Sequence, residues 1–193
     1  INYIRALEYG LDRVKQLPIS VRLVNEVHSI LLEDVRGGDR RPGELRSRQV
    51  WIGPPGTPIE EARYIPPPAN LVRDLLLDWE RFVNEESELP PLVQAALMHY
   101  QIEAIHPYLD GNGRIGRLLI GLFLCDKGIM PTPLLYLSAY FERDRQLYYD
   151  ELLRVSTTGD WEAWLLYFLA GVAEQAKDAL DRARSVRALH DEY

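Results

Sequence analysis

The longest apolar run in the chain, Ile115 to Cys125, is interrupted by Gly and Arg and is too short to cross a bilayer. A run of this kind has little polar surface to offer solvent, so it predicts a helix buried at the centre of a mostly α fold. The rest of the chain must then be arranged to cover it. Lys127-Gly128, with Pro131 beyond, supplies the stop.

Directly ahead of that helix stands His106-Pro107-Tyr108-Leu109-Asp110-Gly111-Asn112-Gly113-Arg114-Ile115-Gly116-Arg117. Gly111, Asn112 and Gly113 can adopt backbone conformations that other residues avoid and turn successive N–H groups towards one anion. The following helix points its positive end at the same place. Arg114 and Arg117 are three apart and share a face of its first turn, within reach of a polyphosphate. Asp110 offers the hard oxygen that Mg²⁺ prefers, with phosphate oxygens and water to complete the shell. His106 is the one group here that titrates near neutrality when unperturbed, and Pro107 pushes it off helical geometry into the loop mouth. Singly these features are commonplace, since a lone Gly-Asn-Gly is usually a turn and a pair of arginines a solvated face. Their order, ahead of a strong helix, points to phosphate chemistry.

The string resembles the Fic-family motif, His-x-Phe-x-(Asp/Glu)-Gly-Asn-Gly-Arg-x-x-Arg, with Tyr108 where Phe is usual. An aromatic ring there anchors the loop in the core, and Tyr serves if its hydroxyl finds a partner. The resemblance continues in Gly43-Glu44-Leu45-Arg46, in Gln49-Val50-Trp51-Ile52-Gly53 and in Leu135-Tyr136-Leu137-Ser138-Ala139-Tyr140-Phe141. It implies a Fic-fold helical bundle with a short β-hairpin flap, as a single domain over residues 1–193 with its core over about 20–172 and helical extensions at both ends. The implied activity is transfer of AMP from ATP to a Tyr, Thr or Ser hydroxyl of a target protein. On that reading His106 is the base, Asp110 holds Mg²⁺, and Gly111, Asn112, Gly113, Arg114, Ile115, Gly116 and Arg117 surround the nucleotide. Gln49, Val50, Trp51 and Ile52 form the flap that docks the target. Two alternatives keep the fold: a different donor, such as another nucleotide or phosphocholine, or a non-catalytic nucleotide-binding regulatory module. Gly-Asn-Gly-Arg argues against a kinase-like branch, and an intact His106 argues against binding alone.

Elsewhere the chain reads as helices and one irregular stretch. Ile4, Leu7, Leu11 and Val14 recur at helical spacing, and Ser20 can cap a second helix whose stripe is Leu23, Val24, Val27, Ile30 and Leu31, leaving His28 on the surface. From Arg36 to Pro68 helical period vanishes, and Arg36, Arg40, Arg41, Arg46 and Arg48 make the segment locally basic. Composition alone reads these as a solvated loop. Within it, Arg46 to Ile52 and Arg63 to Ile65 are predicted to pair as a hairpin. Asn70 can cap a helix bearing Leu75, Leu76, Trp79 and Val83, and Pro90-Pro91 opens another, with His99 buried and hydrogen-bonded. In the helix from Arg143 to Val155, Tyr148 and Tyr149 lie on adjacent faces, so one ring can pack while the other stacks on a base. The resemblance assigns the base to Tyr149. It also places Asn seven residues later, where this chain has Ser156. Asp160 can cap the last helix, whose charged end projects into solvent or pairs with another copy or with a missing domain.

The formal net charge of -7 argues against a general nucleic-acid or anionic-membrane binder, so any phosphate site must be local. Cys125 is the lone cysteine and reads as a buried structural thiol, which fits the cytoplasm. The chain starts at Ile1 with no basic segment followed by an apolar one, which reads as a piece of a longer, non-secreted protein. Many Fic proteins carry an inhibitory (Ser/Thr)-x-x-x-Glu-(Gly/Asn) helix whose Glu pairs with the second arginine. Ser29, Thr57, Ser138 and Thr158 have Glu four residues on, at Glu33, Glu61, Glu142 and Glu162, and none is followed by Gly or Asn. Either the switch lies upstream of Ile1 or there is none here, and the expectation is a constitutively competent domain with Arg117 free for the terminal phosphate.

Overall fold

The structure, a computed structural model, describes residues 1–33 and 41–191. Its helices are α1 (Asn2–Arg13), α2 (Val21–Leu31), α3 (Val72–Asn84), α4 (Pro91–Ile105), α5 (Asn112–Asp126), α6 (Leu137–Arg143), α7 (Arg145–Thr158) and α8 (Trp161–Asp191). As its composition requires, α5 is sealed: Ile115, Leu118, Leu119, Leu122 and Phe123 are fully buried, with α1, α2 and α4 packed around them. Around α4 in turn lie α3, α7 and α8. Trp79 of α3 and Trp164 of α8 each donate their indole N–H to an α4 carbonyl, Met98 and Ala96 respectively, both at 3.1 Å. Two large rings are thereby buried without stranding a donor. The connection between α4 and α5, residues 106–111, is the loop picked out above.

α4 and α5 approach closely because Gly116 faces α4. A Cβ there would lie 2.5 Å from Glu103 Oε1 and 3.3 Å from His99 Cε1, so this glycine answers to packing and not to backbone conformation.

Most predicted helix ends are found. Ser20 accepts from Leu23 N at 3.3 Å, Pro91 opens α4, Gly128 follows α5 at φ 69°, and Asp160 accepts from Ala163 N at 3.2 Å. Asn70 does not cap α3. Residues 69–71 form a 3₁₀ turn in which Leu71 N donates to the Pro68 carbonyl, and α3 begins behind it with no side-chain cap. Cys125 is half-buried, near the exposed end of α5, and burial still raises its thiol pKa.

The hairpin is smaller than predicted. One antiparallel bridge, Ile52 to Tyr64, is the whole ladder among the described residues, with Ile52 N to Tyr64 O at 2.9 Å and Arg63 N to Ile52 O at 2.8 Å. Pro54, Pro55 and Pro58 at the tip and Pro66, Pro67 and Pro68 behind remove the donors that a longer ladder needs. A side chain takes over instead: Gln49 Nε2 donates to the carbonyls of Val50 and Pro66, at 2.9 and 2.8 Å, tying the two legs together. Arg36 and Arg40 of the basic stretch lie outside the described residues.

Candidate active site

The loop after α4 is closed by its own residues. Asn112 is buried, and its side-chain amide grips Tyr108, accepting from Tyr108 N and donating to Tyr108 O, both at 2.9 Å. Asn112 therefore fixes the loop from within, and its side chain is not available to a ligand. Gly111, at φ 80°, makes the turn into α5. Ile115 N donates to Gly111 O, so the amides of Asn112, Gly113 and Arg114 have no partner within the helix and form its positive end.

Two buried side chains hold this loop against the base of the flap. Tyr108 is fully buried, donates its hydroxyl to Asn25 Oδ1 at 2.6 Å, and stacks on His28 with ring centroids 3.6 Å apart. The surface placement of His28 is thereby overturned. The ring is fully buried because both nitrogens are satisfied: Gly43 N donates to Nδ1, and Nε2 donates to the Asp110 carbonyl, each at 2.9 Å. A backbone amide can only donate, so the hydrogen sits on Nε2 and the ring is neutral. Burial also lowers its pKa. Arg46 is likewise buried, against the solvated-loop reading, with its guanidinium among carbonyl oxygens of α4 and of both flap legs. Tyr64 adds a further tie, donating its hydroxyl to Ala104 O at 2.9 Å.

His106 does leave helical geometry, but into the left-handed region at φ 50°, ψ 61°, and not into the extended backbone favoured before proline. Its amide still bonds to Ile102 O at 3.0 Å, which holds it to the end of α4. Nδ1 lies 3.3 Å from the Glu103 carbonyl, which can only accept, so Nδ1 carries the hydrogen and Nε2 keeps its lone pair. Burial, above all, pushes the imidazole pKa down to about 4.

Around His106 two cavities meet. The smaller, about 140 Å³, is lined by Tyr64, Tyr100, Leu152, Tyr149 and Ser156, largely carbon. The larger, about 480 Å³, is polar and is lined by Asp110, Gly111, Gly113, Arg114, Arg117 and Arg145. His106, Gly113, Arg117, Tyr148 and Tyr149 belong to both. The two tyrosines divide as predicted, Tyr148 buried and Tyr149 exposed on the cavity wall, with the Arg63 guanidinium 5.9 Å from the Tyr149 ring centroid. Ser156 is present at the rim, where its hydroxyl is 2.9 Å from that of Tyr100.

Arg117 is not free. Its Nε donates to Ser138 Oγ at 3.2 Å and Nη2 lies 3.5 Å from Glu142 Oε1. The Ser138 and Glu142 pair found by pattern thus does meet the second arginine, though Gly or Asn does not follow. Arg114 Nη2 is 3.5 Å from Asp110 Oδ1, which also accepts from Gly111 N at 2.6 Å. Ile115 is buried in the core and Gly116 faces α4, so neither offers a side chain to a ligand.

Sequence reading missed Glu103. Its Oε1 is sealed without a hydrogen bond beneath Gly113 and Gly116, and burial raises its pKa to about 7. One signal was available, an acidic residue one turn before His106 on the α4 face that otherwise reads as core. His99 is buried with Nε2 bonded to the Tyr148 hydroxyl at 2.9 Å, as expected.

A family model described as the Fic/DOC family matches residues 18–124, more than half of the chain. The chain belongs to the Fic/DOC family. Relatives include Protein adenylyltransferase Fic of Drosophila melanogaster, 31% identical over 176 residues, and that of Drosophila yakuba, 30% identical over the same length. Each alignment takes in 90% of this chain and 32% of the relative, so the Fic/DOC chain described here spans about a third of the curated relatives it matches. Among solved structures, a Fic family protein from Desulfovibrio desulfuricans G20 superposes with TM-score 0.76 at 22% identity, over 94% of this chain and 53% of that one. A Fic domain-containing signaling protein from Bacteroides thetaiotaomicron gives 0.72 at 21% identity, over 95% and 71%. These two likenesses show the Fic fold.

Proposed function

We propose that this chain is a protein adenylyltransferase, moving AMP from ATP to a side-chain hydroxyl of a target protein. The observation that carries the proposal is the position of His106 at the junction of a carbon-lined cavity, with an exposed aromatic ring on its wall, and a polar cavity lined by arginines and the open end of α5. A nucleoside triphosphate has these same two halves. The base stacks on Tyr149, the phosphates lie over the amides of Asn112, Gly113 and Arg114, and the α-phosphorus falls beside His106. The names of the Drosophila relatives point the same way.

The target oxygen attacks the α-phosphorus as the bond to pyrophosphate breaks, and its proton passes to His106 Nε2. With Nδ1 held on the Glu103 carbonyl, the lone pair is pre-aimed, and the depressed pKa keeps it unprotonated at neutral pH. So weak a base takes the proton late, once the hydroxyl has become acidic by bonding to phosphorus. Arg114 steadies charge on the phosphates, and Arg117 engages the terminal one after leaving Glu142. No group of three His, Cys, Asp or Glu among the described residues forms a metal cage by itself. Asp110, on the polar cavity wall, is the carboxylate that would hold Mg²⁺, with phosphate oxygens and water for the rest. When bound, the ion would neutralise charge on the departing diphosphate.

The target docks, on this reading, by adding an extended segment to the flap around Gln49 to Ile52. The Gln49 side chain is engaged within the flap, so backbone groups do the pairing. We read the reaction as cytoplasmic, a reading supported by the single cysteine, which suits a reducing compartment. No helix among the described residues is long and apolar enough to cross a membrane.

Incubation with labelled ATP, followed by mass spectrometry of modified proteins, tests the proposal, and the mass increment names the donated group. His106→Ala should abolish transfer, by about 10²-fold or more, while nucleotide binding persists. Asp110→Ala should instead weaken Mg²⁺-nucleotide binding. Transfer at the wild-type rate by His106→Ala would sink this mechanism.

A further inference from the structure

We propose that Arg145 is a third phosphate-binding arginine of the polar cavity, reserved for the far end of a triphosphate chain. The inference deepens the adenylyltransferase reading and rests on its polyphosphate donor. Arg145 opens α7 and lines the cavity that α5 lines with Arg114 and Arg117.

What sets it apart is charge already in use. Arg114 faces Asp110, and Arg117 is held by Ser138 and Glu142. Arg145 is exposed and makes no hydrogen bond or ion pair among the described residues. The cap of its own helix does not engage it, since Asp144 Oδ1 accepts from Leu147 N at 2.9 Å. The charged walls of the cavity are thus Arg114, Arg117 and Arg145 against Asp110 and Glu142, with His106 neutral. They carry a single excess positive charge, in a chain whose net charge is -7.

An uncommitted guanidinium facing a cavity needs no rearrangement before it meets an anion, whereas Arg117 must first leave Glu142. Arg145 therefore makes the first contact with an arriving polyphosphate and discriminates by length. The amides of α5 and Arg114 hold the phosphate beside His106 and its neighbour. Arg145, on a different helix from that group, is assigned the third phosphate.

The test uses inorganic tripolyphosphate and pyrophosphate as probes, titrated calorimetrically at low salt into the wild-type chain, Arg145→Ala and Arg145→Lys. Tripolyphosphate should bind about tenfold more weakly to Arg145→Ala, the scale of one charge-assisted hydrogen bond, and Arg145→Lys should regain most of the loss. Pyrophosphate affinity should scarcely change. Melting temperatures should agree across the three proteins, because the side chain has no partner to lose. Equal weakening of both probes, no weakening, or no tripolyphosphate binding by the wild type would each overturn the assignment. Length-selective binding without AMP transfer would leave this arginine's role standing and remove the proposed activity. Transfer with no effect of Arg145→Ala on tripolyphosphate would do the reverse.

Discussion

Arg46 donates from Nε to the carbonyl of His106 at 2.8 Å, so a residue at the root of the flap holds the residue at the mouth of the site. The same guanidinium reaches Ile105 O and Arg48 O, each at 3.3 Å, and Pro67 O. Its backbone amide adds Pro107 O at 2.9 Å. One planar fork therefore ties the end of α4 to both legs of the flap, and a left-handed His106 is held where it would not rest alone.

Arg46→Lys should keep the charge and lose the fork. For the proposed AMP transfer we expect the rate to fall about tenfold or more with nucleotide affinity nearly unchanged, because misplacing the proposed base harms the chemical step and not the binding of phosphates. A matching fall in nucleotide affinity would show that Arg46 merely supports the fold.

Acid and alkali should act on different residues. Burial pushes His106 to about 4 and His99 to about 3, and lowers His28 as well. A histidine whose folded pKa lies below its unfolded value lends stability that is present above the unfolded pKa, and that is lost as pH falls through the folded one. Melting temperature should therefore drop as pH falls from about 6.5 towards 3. Glu103, raised to about 7, works oppositely, its contribution being lost as pH rises from its ordinary 4.5 through 7. Glu103→Gln should flatten that part of a melting-temperature profile. The acidic limb of the proposed transfer should lie near pH 4 and not 6.5, and a limb at 6.5 would contradict a half-buried His106 that is neutral at neutral pH.

Gly116→Ala should destabilise the domain by roughly 1–3 kcal/mol, the usual scale of overpacking, because the new methyl group meets the Glu103 carboxyl and the His99 ring. Adding Glu103→Ala should recover part of the loss. Chemical denaturation of the single and double variants measures both, and strict additivity would show that the two residues do not press on one another.

On the proposed mode of docking, the flap bridge fixes which backbone groups a target can use. Ile52 turns both its amide and its carbonyl to the opposite leg, so by the alternation of extended chain Trp51 turns its own outward. Trp51→Ala and Trp51→Pro both lose the indole, and only the second loses the N–H. Target modification should suffer far more in Trp51→Pro, with nucleotide binding equal in both and melting temperature checked alongside. Equal modification by the two variants would remove strand addition as the mode of docking.

Much of this arrangement was legible from residue order. Apolar periodicity and the motif before α5 located the loop and every helix except α6, because burial and turn chemistry are local in sequence, while the choice between the two tyrosines came from the family resemblance. What escaped was polar burial at long range. His28 looked exposed because nothing nearby in sequence could satisfy it, and its partners, Gly43 and Asp110, are brought there by folding. Arg46 looked solvated for the same reason. The hairpin was overread because β propensity counts side chains, whereas its ladder is limited by proline and closed by the Gln49 amide.

The two cavities that meet at His106 share a wall and differ in chemistry, one carbon-lined and one cationic. A flat aromatic fragment and a small oxyanion accordingly have no reason to compete. Each could be found independently and the pair joined across the imidazole. The linker would then convert the second encounter into an intramolecular one at high effective concentration. An inhibitor assembled in this way would need no sugar and no transferable phosphate.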